Sequence, residues 1–413
     1  MKVAVIGLGK LGLPLAAWLA AKGHQVLGVD SNRELVQNLI SGKHTIEETG
    51  VADMIAEVGA HFAVATLDRA VELSDILFVV VPTPSKGDGS FDVSYVLEAA
   101  RDIGVALRDA TGYKLVVVVS TVMPGQMEQV KVELEHSSGL RCGPDFGLCY
   151  NPEFVALGSV LRDLSHPDFV LIGESDEKAG RMLEHTLALS VPVYRTNFVN
   201  AELAKLSINT FLTMKITFAC MMARLAEKLP GADVDVVSTI VGTDSRIGRK
   251  YLTGANGFGG PCFPRDNQAL AQLAYSLGVS PRLPRTVIEE NEGQIWVINS
   301  LICQLAGQNK AALIMGMAYK PGTPVTEESQ GKRFLEGMKS RAVRWYDPMA
   351  TGSLSRKAAQ VAIQHSGVVI LMQPDPDFLD FDYGDTPVID CWRLLRKNQP
   401  KNWHPMGIGA AND

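Results

Sequence analysis

The chain has 413 residues, of which 46% are hydrophobic and 20% charged, and its formal net charge is −6 at pH 7. At roughly 150 residues per domain, this length predicts two or three domains with sizeable cores. The acidic balance, without a run of lysine or arginine, argues against a nucleic-acid-binding face or a polybasic membrane patch. We therefore expect a folded protein that binds small molecules and neither nucleic acid nor a membrane.

Cysteine and histidine usage argues against a structural metal site. The six cysteines are dispersed without a Cys-x-x-Cys pair, and the eight histidines show no zinc-ligand spacing. The N-terminus enters an apolar run without the pattern of a signal peptide, and no stretch reaches roughly 18 uninterrupted apolar residues. We expect a cytoplasmic protein without metal, in which a special cysteine is catalytic rather than disulfide-bonded.

In the first 195 residues, short β-rich runs alternate with amphipathic helical stretches. The runs are Val3–Ile6, Gln25–Val29, Phe62–Ala65, Ile76–Val81, Leu115–Val119, Gly147–Tyr150, Phe169–Ile172 and Val191–Tyr194. Apolar runs separated by helices are typical of a parallel sheet covered on both faces. The pattern predicts an α/β fold for this part of the chain.

The rest of the chain begins helical and then returns to strands. A stretch free of proline and glycine predicts one helix of about 30 residues over 197–229, and a second helical part is expected over 268–306. Four further strand signals are Ala311–Gly316, Val343–Tyr346, Gly367–Met372 and Pro387–Asp390. We expect an α/β domain over 1–196, a helical domain over 197–300 and a smaller C-terminal α/β domain over 301–413. The polar tail, 399–413, is expected to be loosely ordered.

The first strand leads into Gly7-Leu8-Gly9-Lys10-Leu11-Gly12, and the second strand ends at Asp30. Gly7 allows a tight turn, Gly9 lets the backbone approach a pyrophosphate, and Gly12 permits close packing of helix on strand. Asp30 would accept hydrogen bonds from the ribose hydroxyls and repel a 2′-phosphate, which favours NAD over NADP. The alternative is a purely structural glycine turn.

Two other segments carry candidate chemistry. Lys205 and Asn209 are four residues apart, so they project from one face of the long helix; a surface lysine beside a solvated asparagine is the alternative. Cys262 lies in the glycine-rich segment Gly257–Asp266. A helix beginning near Pro264 would place Cys262 at its positive end, which stabilises a thiolate. A buried, inert cysteine is the alternative.

Polar residues also follow three predicted strands, in Val81–Pro84, Ser120–Gly125 and Asn151–Phe154. Ligands bind at the carboxyl edge of open α/β sheets, so we expect these segments to face one crevice. Glu153 could instead be an ordinary turn residue.

Together these segments resemble the UDP-glucose/GDP-mannose dehydrogenase family of nucleotide-sugar 6-dehydrogenases over nearly the whole chain. The matching pieces are Gly7–Ala16, Val81–Pro84, Ser120–Gly125, Asn151–Phe154, Lys205 with Asn209, Arg246–Gly248, Gly257–Asp266, Gly316–Thr323 and Tyr346–Pro348. The resemblance implies two Rossmann-like domains joined by a long central helix and a helical dimerisation region. The C-terminal domain would bind the nucleoside diphosphate.

The resemblance also implies a four-electron oxidation of a primary alcohol with two NAD. Cys262 would form a thiohemiacetal and then a thioester, and Glu153 would assist its hydrolysis. Asp266 would act as base through a water held with Thr121, while Lys205 and Asn209 would stabilise the oxyanion.

The same resemblance assigns the binding residues. Those expected to bind the cofactor are Gly7, Gly9, Leu11, Gly12, Asp30, Pro82, Thr83, Thr121 and Arg265. Those expected to bind the substrate are Phe154, Val155, Lys205, Asn209, Arg246, Tyr251, Phe258, Gly259, Lys320 and Arg393. Arg246 would reach the partner subunit's substrate in a homodimer, and the register of Arg393 is left open by the intervening Trp392.

The chain departs from the family pattern at a few positions, which are Leu157, Cys220-Met221, Arg265 and Glu327. We rank UDP-glucose first as substrate, then GDP-mannose, then a UDP-N-acetylhexosamine. The alternatives of other classes are a two-electron 3-hydroxyacid dehydrogenase, which needs no thiol, and a non-catalytic NAD-sensing protein.

Overall fold

The computed structural model describes residues 1–43, 48–306, 311–337 and 342–410. The chain divides into two compact units, Met1–Ser207 and Ile208–Asp413. The boundary falls inside one long helix. The finer division into three domains stays a prediction.

The first unit is built on an eight-stranded sheet. Its strands are β1 (Lys2–Ile6), β2 (Gln25–Val29), β3 (Phe62–Val64), β4 (Ile76–Val79), β5 (Lys114–Val118), β6 (Phe146–Tyr150), β7 (Val170–Glu174) and β8 (Val193–Thr196). The strand order is β3-β2-β1-β4-β5-β6-β7-β8. The chain order reverses between the neighbours β1 and β4, and such a switch point is where open α/β sheets bind ligands.

Helices cover both faces of this sheet. They are α1 (Gly12–Ala21), α2 (Arg33–Ile40), α3 (Val51–Val58), α4 (Leu67–Leu73), α5 (Ser94–Leu107), α6 (Gln126–Ser138), α7 (Val160–Ser165), α8 (Glu177–Leu187) and α9 (Phe198–Glu227). Alternate residues of β1 enter different cores, Val3 and Val5 on one face and Ala4 and Ile6 on the other. This two-sided burial explains why the strands are continuous apolar runs.

One strand pairing differs from the sequence prediction of a parallel sheet. Strand β7 runs antiparallel to β6, with Cys149 opposite Glu174 and Tyr150 opposite Gly173, whereas the other strand pairs of this sheet are parallel. A strand buried on both faces has the same apolar pattern in either direction. The pattern therefore predicts the strand and not its orientation.

The second unit combines helices with a smaller parallel sheet. Its helices after α9 are α10 (Val234–Thr243), α11 (Phe263–Ser276), α12 (Arg282–Ala306), α13 (Gln330–Gly337) and α14 (Arg356–Gln364). Its strands are β9 (Ala312–Met315), β10 (Val343–Tyr346), β11 (Val368–Leu371), β12 (Val388–Asp390) and β13 (Trp403–Pro405), in the order β10-β9-β11-β12-β13. Two Rossmann-like sheets are thus confirmed.

The prediction of a loosely ordered tail is wrong for the part of the tail that the structure describes. Trp403–Pro405 pairs with β12, and the Gly407 N–H donates to the Glu227 carboxylate at 2.8 Å. The Gly409 N–H donates to the carbonyl of Ala232 at 2.9 Å. Main-chain hydrogen bonds hold this segment, and polar composition does not reveal them.

The long central helix is confirmed as α9, 30 residues from Phe198 to Glu227. Among the described residues, α9 is also the helix long and apolar enough to pass a length-and-hydropathy test for a membrane span. Two of its charged residues bind main-chain groups of the first unit: Glu202 accepts from Gly125 and Met127, and Lys205 donates to Glu153. These contacts are those of a core helix in a folded unit.

Candidate active site

In the turn between β1 and α1, Gly7, Gly9 and Gly12 have the backbone conformation and the surroundings that the sequence predicts. Gly7 has a φ of +94°, and a Cβ there would lie 2.2 Å from the carbonyl oxygen of Val80. A Cβ on Gly12 would lie 1.8 Å from the carbonyl oxygen of Gly7, so only glycine lets α1 pack this closely. A Cβ on Gly9 would meet no described atom within 4 Å. The turn therefore leaves open space at Gly9, at the N-terminus of a helix, where a pyrophosphate can approach.

Asp30 lies at the carboxyl end of β2 and braces this turn. Its Oδ2 accepts from the Leu8 N–H at 2.7 Å, and its Oδ1 accepts from the Asn32 N–H at 2.8 Å. Each carboxylate oxygen can accept more than one hydrogen bond, so both retain capacity for ribose hydroxyls. The cradle at Gly7–Gly12 and the acid beside it fit a dinucleotide without a 2′-phosphate.

The strand-end segments after β4 and β5 lie side by side. The Ser120 hydroxyl accepts from the Val81 N–H at 2.9 Å and donates to the Val81 carbonyl at 2.7 Å. Thr83 is buried and Pro82 exposed, and Thr121 is half-buried beside Ser120. The structure thus brings the segments of Pro82, Thr83 and Thr121 together at one sheet edge, as the sequence predicts.

Glu202 is a residue of this region that the sequence reasoning missed. It is fully buried, and its carboxylate accepts from the Gly125 N–H at 2.8 Å and the Met127 N–H at 2.7 Å. The carboxylate therefore fixes the start of α6 and the end of the Thr121 segment against α9. Burial raises the pKa of Glu202, and these N–H donors lower it in part. The available signal was an acid between the apolar residues Ala201 and Leu203, three positions before Lys205.

Lys205 and the segment after β6 form a second cluster in the first unit. Lys205 is 6% exposed, so the alternative of a surface lysine is wrong. Its Nζ donates to the main-chain carbonyl of Glu153 at 2.7 Å and lies 4.5 Å from the centroid of the Phe154 ring. Val155 and Leu157 are partly buried against the core on the α1 side of the sheet. The cation is held by the backbone carbonyl and the aromatic ring that follow β6.

Burial raises the pKa of the Glu153 carboxyl to about 7, and the Lys205 ammonium lowers it in part. The residue keeps partial exposure. A carboxyl group with a pKa near neutrality can act as a general base at physiological pH, which an ordinary turn glutamate does less well.

In the second unit, Asn209 and Asp266 form a buried pair. Asn209 is 9% exposed and Asp266 2% exposed, and the Asn209 Nδ2 donates to the Asp266 Oδ2 at 2.6 Å. Arg265 lies beside them, with its Nε 4.0 Å from the Asp266 Oδ1. Asn209 lies one turn along α9 from Lys205, so one helix carries the residues expected to stabilise an oxyanion.

Cys262 is exposed and stands at the N-cap of α11, with Pro264 in the first turn. The expected helix start near Pro264 is confirmed, and the alternative of a buried cysteine is wrong. The Asp266 N–H donates to the Cys262 carbonyl at 2.9 Å, which places the thiol-bearing residue one turn from the buried acid. An exposed thiol at the positive end of a helix is an environment that favours a reactive thiolate.

The residues of the second unit that are expected to bind substrate range from buried to exposed. Phe258 is buried and Gly259 half-buried in the loop before Cys262. Tyr251 is exposed with a φ of +67°, and Lys320 is half-buried, its Nζ 5.9 Å from the centroid of the Tyr319 ring.

Arg246 and Arg393 contrast sharply. The Arg246 side chain is 85% exposed and pairs with Asp244 at 2.6 Å. The Arg393 side chain is 1% exposed; its Nε donates to Asp235 at 2.8 Å, and its Nη1 donates to three main-chain carbonyls, including that of Gly254. These contacts give Arg393 a structural role, and its assignment to the substrate stays a prediction.

The residues that depart from the family pattern differ in burial. Cys220 is buried, with its thiol donating to the Ala255 carbonyl at 3.4 Å, and burial raises the pKa of that thiol. Met221 and Glu327 are exposed. No group of three or more metal-binding side chains occurs among residues 1–43, 48–306, 311–337 and 342–410.

Comparison with known proteins places this geometry in a family. The model of the NAD-binding domain of the UDP-glucose/GDP-mannose dehydrogenase family matches residues 1–189, and that of the family's central domain matches residues 199–293. The chain belongs to the UDP-glucose/GDP-mannose dehydrogenase family. It is therefore an NAD-dependent nucleotide-sugar dehydrogenase, and the cradle formed by Gly7–Gly12 and Asp30 fits that cofactor.

Similar proteins within the UDP-glucose/GDP-mannose dehydrogenase family differ in their sugars. The chain is 31% identical over 401 residues to the UDP-glucose 6-dehydrogenase AglM of Haloferax volcanii, covering 94% of this chain and 93% of that protein. The structure of a UDP-glucose dehydrogenase from Pyrobaculum islandicum is similar, with a TM-score of 0.91 and 32% identity over 98% of each chain. That of a UDP-D-ManNAc dehydrogenase from Pyrococcus horikoshii has a TM-score of 0.87 and 27% identity, covering 98% of this chain and 99% of that one.

Proposed function

We propose that this dehydrogenase oxidises UDP-glucose to UDP-glucuronate, in two oxidation steps that each reduce one NAD. The observation that carries the chemistry is the exposed Cys262 at the N-terminus of α11, on the helix that also carries the buried Asp266 bound to Asn209. The UDP-glucose assignment is supported by the similarity to UDP-glucose dehydrogenases over more than nine tenths of the chain.

NAD, when bound, accepts a hydride in each of the two oxidations. The balanced reaction converts one primary alcohol, one water and two NAD⁺ into one carboxylate, two NADH and three protons. The residues of the chain would supply proton transfer, oxyanion stabilisation and a covalent anchor for the aldehyde.

In the first oxidation, Asp266 would take the hydroxyl proton through a water held with Thr121. The Asn209 Nδ2, which donates to Asp266 at 2.6 Å, orients the acid, and the Lys205 ammonium would stabilise the alkoxide. Burial of Lys205 strengthens this electrostatic effect because little solvent screens the charge.

In the second oxidation, the Cys262 thiolate would add to the aldehyde carbon, forming a carbon–sulfur bond and an alkoxide that takes up a proton. Loss of a hydride and of that proton from this thiohemiacetal leaves a thioester. Glu153, whose pKa is raised to about 7, would then remove a proton from the attacking water, and the thiolate leaves as the carboxylate forms.

We further propose a cytoplasmic homodimer in which Arg246 reaches the partner subunit's substrate. Exposed apolar side chains recur along α9 at Phe211, Phe218 and Leu225, seven residues apart, and Ile240 on α10 is 68% exposed. A row of large apolar side chains is typical of a buried subunit interface. Arg246, exposed and carried on the segment after α10, is free of the core and can extend to another chain.

The substrate assignment is tested by NADH formation with a panel of UDP-glucose, GDP-mannose and UDP-N-acetylmannosamine. We expect the highest kcat/KM with UDP-glucose. The second candidate is GDP-mannose, supported by 33% identity to a GDP-mannose 6-dehydrogenase over 80% of the chain. The third is a UDP-N-acetylhexosamine, supported by the similarity to the UDP-D-ManNAc dehydrogenase structure. A tenfold higher kcat/KM with an N-acetylated sugar nucleotide would replace the UDP-glucose assignment by that candidate.

A further inference from the structure

The loop before Cys262, residues Asn256–Gly260, is held by side-chain amides rather than by secondary structure. The Asn291 Oδ1 accepts from the Phe258 N–H at 2.8 Å, and the Asn291 Nδ2 donates to the Phe258 carbonyl at 2.9 Å. Asn291 on α12 therefore satisfies both main-chain groups of one loop residue, as a paired strand would. These two hydrogen bonds fix the position and the orientation of the loop at Phe258.

A second amide approaches the same loop from α13. The Gln330 Nε2 donates to the Asn256 carbonyl at 2.5 Å and to the Asn291 Oδ1 at 3.3 Å. Gly257, between the two bound loop residues, has a φ of +92°, and a Cβ there would lie 2.3 Å from the Asn291 Oδ1 and 2.5 Å from the Gln330 Nε2. The loop backbone at Gly257 therefore packs against the side-chain amides of Asn291 and Gln330, with no room for a side chain between them.

Burial makes these bonds costly to lose. Asn256 and Asn291 are each 3% exposed and Gln330 is 6% exposed. Removing one amide would leave buried main-chain groups of the loop without partners, and the loop would have to move to reach water. The position of the loop is therefore set by a few specific hydrogen bonds.

The loop leads into the N-cap of α11 within two residues. Gly260 has a φ of +85° and donates its N–H to the Glu328 carbonyl at 3.2 Å, and Cys262 follows. A shift of the loop at Phe258 would therefore displace Cys262 from the N-terminus of α11. An aldehyde requires attack from a thiol at a defined distance and angle, and misplacement of about 1 Å can cost about 100-fold in rate.

We infer that Asn291 and Gln330 are positioning residues that hold the Cys262 thiol in place for aldehyde capture. The inference rests on the proposed role of Cys262 as nucleophile. Loosening the loop would raise the KM for the sugar nucleotide, because Phe258 and Gly259 are expected to bind it. It would leave Lys205, Asn209 and the glycine turn in place, so the first oxidation would continue. The same loosening would slow capture, so that aldehyde escapes before the second oxidation.

The test compares Asn291→Ala and Gln330→Met with the wild type in two measurements on the full-length protein. The first is the rate of iodoacetamide alkylation of Cys262 relative to Cys303, which is also exposed and lies at the end of α12. We expect the Cys262/Cys303 rate ratio to fall at least threefold in Asn291→Ala, with a smaller fall in Gln330→Met. Because Cys303 is in the same molecule, reagent quality and protein concentration cancel.

The second measurement is released aldehyde. Turnover mixtures with UDP-glucose and NAD are filtered to remove protein and reduced with borodeuteride, which marks free 6-aldehyde as monodeuterated alcohol in a mass spectrum. We expect released aldehyde to rise at least fivefold relative to acid in both variants. A loss of stability alone would lower active protein without changing this ratio.

Ile363→Val is the matched control, because Ile363 is fully buried on α14 in a different core cluster and its truncation lowers the unfolding midpoint without touching the loop. It should keep the wild-type alkylation and aldehyde ratios. Unchanged ratios in Asn291→Ala, while Cys262→Ala abolishes acid formation, would overturn the positioning inference alone. Full acid formation by Cys262→Ala would instead overturn the proposed function.

Discussion

The ammonium of Lys205 donates its hydrogen bond to the main-chain carbonyl of Glu153, 2.7 Å away. Glu153 therefore anchors the proposed oxyanion-stabilising cation through its backbone, while its carboxyl group remains able to titrate. Burial raises the pKa of that carboxyl to about 7 against a partial lowering by Lys205. One residue thus links the position of the cation to the supply of a base.

The raised pKa of Glu153 predicts the pH dependence of acid formation. Below about pH 7 the carboxyl is protonated and cannot accept a proton from water, so kcat should rise with pH and level off above that value. Glu153→Gln should remove this rising limb and lower kcat by about 10²-fold or more. A pH–rate series under saturating substrate makes the measurement. Persistence of the same limb in Glu153→Gln would assign it to another group.

A second prediction separates the two roles of Asp30. Asp30→Ala should weaken NAD binding and narrow the preference for NAD over NADP, because it removes the acceptor for the ribose and the Leu8 N–H together with the repelling charge. Asp30→Asn should narrow the preference with less loss of NAD affinity, since its amide oxygen can still accept from Leu8. Titrations of both cofactors by fluorescence make the comparison. An unchanged NAD/NADP ratio in both variants would remove Asp30 from the cofactor site.

The third prediction concerns Arg246 and assembly. Arg246→Ala should raise the KM for the sugar nucleotide at least tenfold while the protein sediments as a dimer, because the exposed side chain supports no core. Arg101→Ala is the control, since Arg101 is also exposed and pairs with Glu133 in the first unit. Phe218→Asp on α9 should produce a monomer. Full activity of that monomer would contradict the contribution of Arg246 across subunits.

The fourth prediction uses two arginines that share one acid. Arg393 and Arg396 both bind Asp235, at 2.8 Å and 3.3 Å, but their side chains are 1% and 42% exposed. Arg393→Ala should lower the free energy of unfolding by about 3 kcal/mol or more, because three main-chain carbonyls lose the buried donor that they share. Arg396→Ala should cost about 1 kcal/mol or less. Urea unfolding measures both.

The conservative variant Arg393→Lys tests whether Arg393 contacts substrate. If its role is structural, any folded Arg393→Lys protein should keep the wild-type KM for the sugar nucleotide. A large rise in KM without loss of stability would restore the substrate assignment.

The sequence predicted most of the framework because apolar periodicity and glycine chemistry are local signals. The turn at Gly7–Gly12, the 30-residue α9 and the helix start after Cys262 all follow from neighbouring residues. The direction of β7 could not be predicted, because burial on both faces erases the difference between parallel and antiparallel pairing.

Contacts between residues that are far apart in the sequence could not be predicted either. Asn291 and Phe258, which are hydrogen-bonded, lie 33 residues apart in the sequence, and Glu202 and Gly125 lie 77 residues apart. Amides and acids inside helices give no local sign of the loop they will bind. The ordered tail at Gly407 has the same cause, since its partners lie on α9 and α10.

The final prediction tests the covalent route through Cys262. The wild type should form two NADH per acid, because each of the two oxidations delivers one hydride. Cys262→Ala lacks the thiol but keeps Lys205, Asn209 and the glycine turn, so it should still reduce a supplied 6-aldehyde with NADH. Acid formation should fall at least 10³-fold, since no thioester can form. Cys303→Ala, which removes the other exposed thiol, should behave as wild type.

Glu153→Gln should stop the same reaction one step later, at the thioester, because attack of the thiol and both hydride transfers need no base at that position. After an acid quench, intact-protein mass spectrometry should show an adduct that maps to Cys262 and disappears with hydroxylamine. The Cys262→Ala/Glu153→Gln double variant should show no adduct, which separates the thioester from a substrate bound elsewhere. One NADH per acid in the wild type would refute the thioester route, because a four-electron oxidation must deliver two hydrides. Full acid formation by Cys262→Ala would also refute it, because no thioester can form without the thiol.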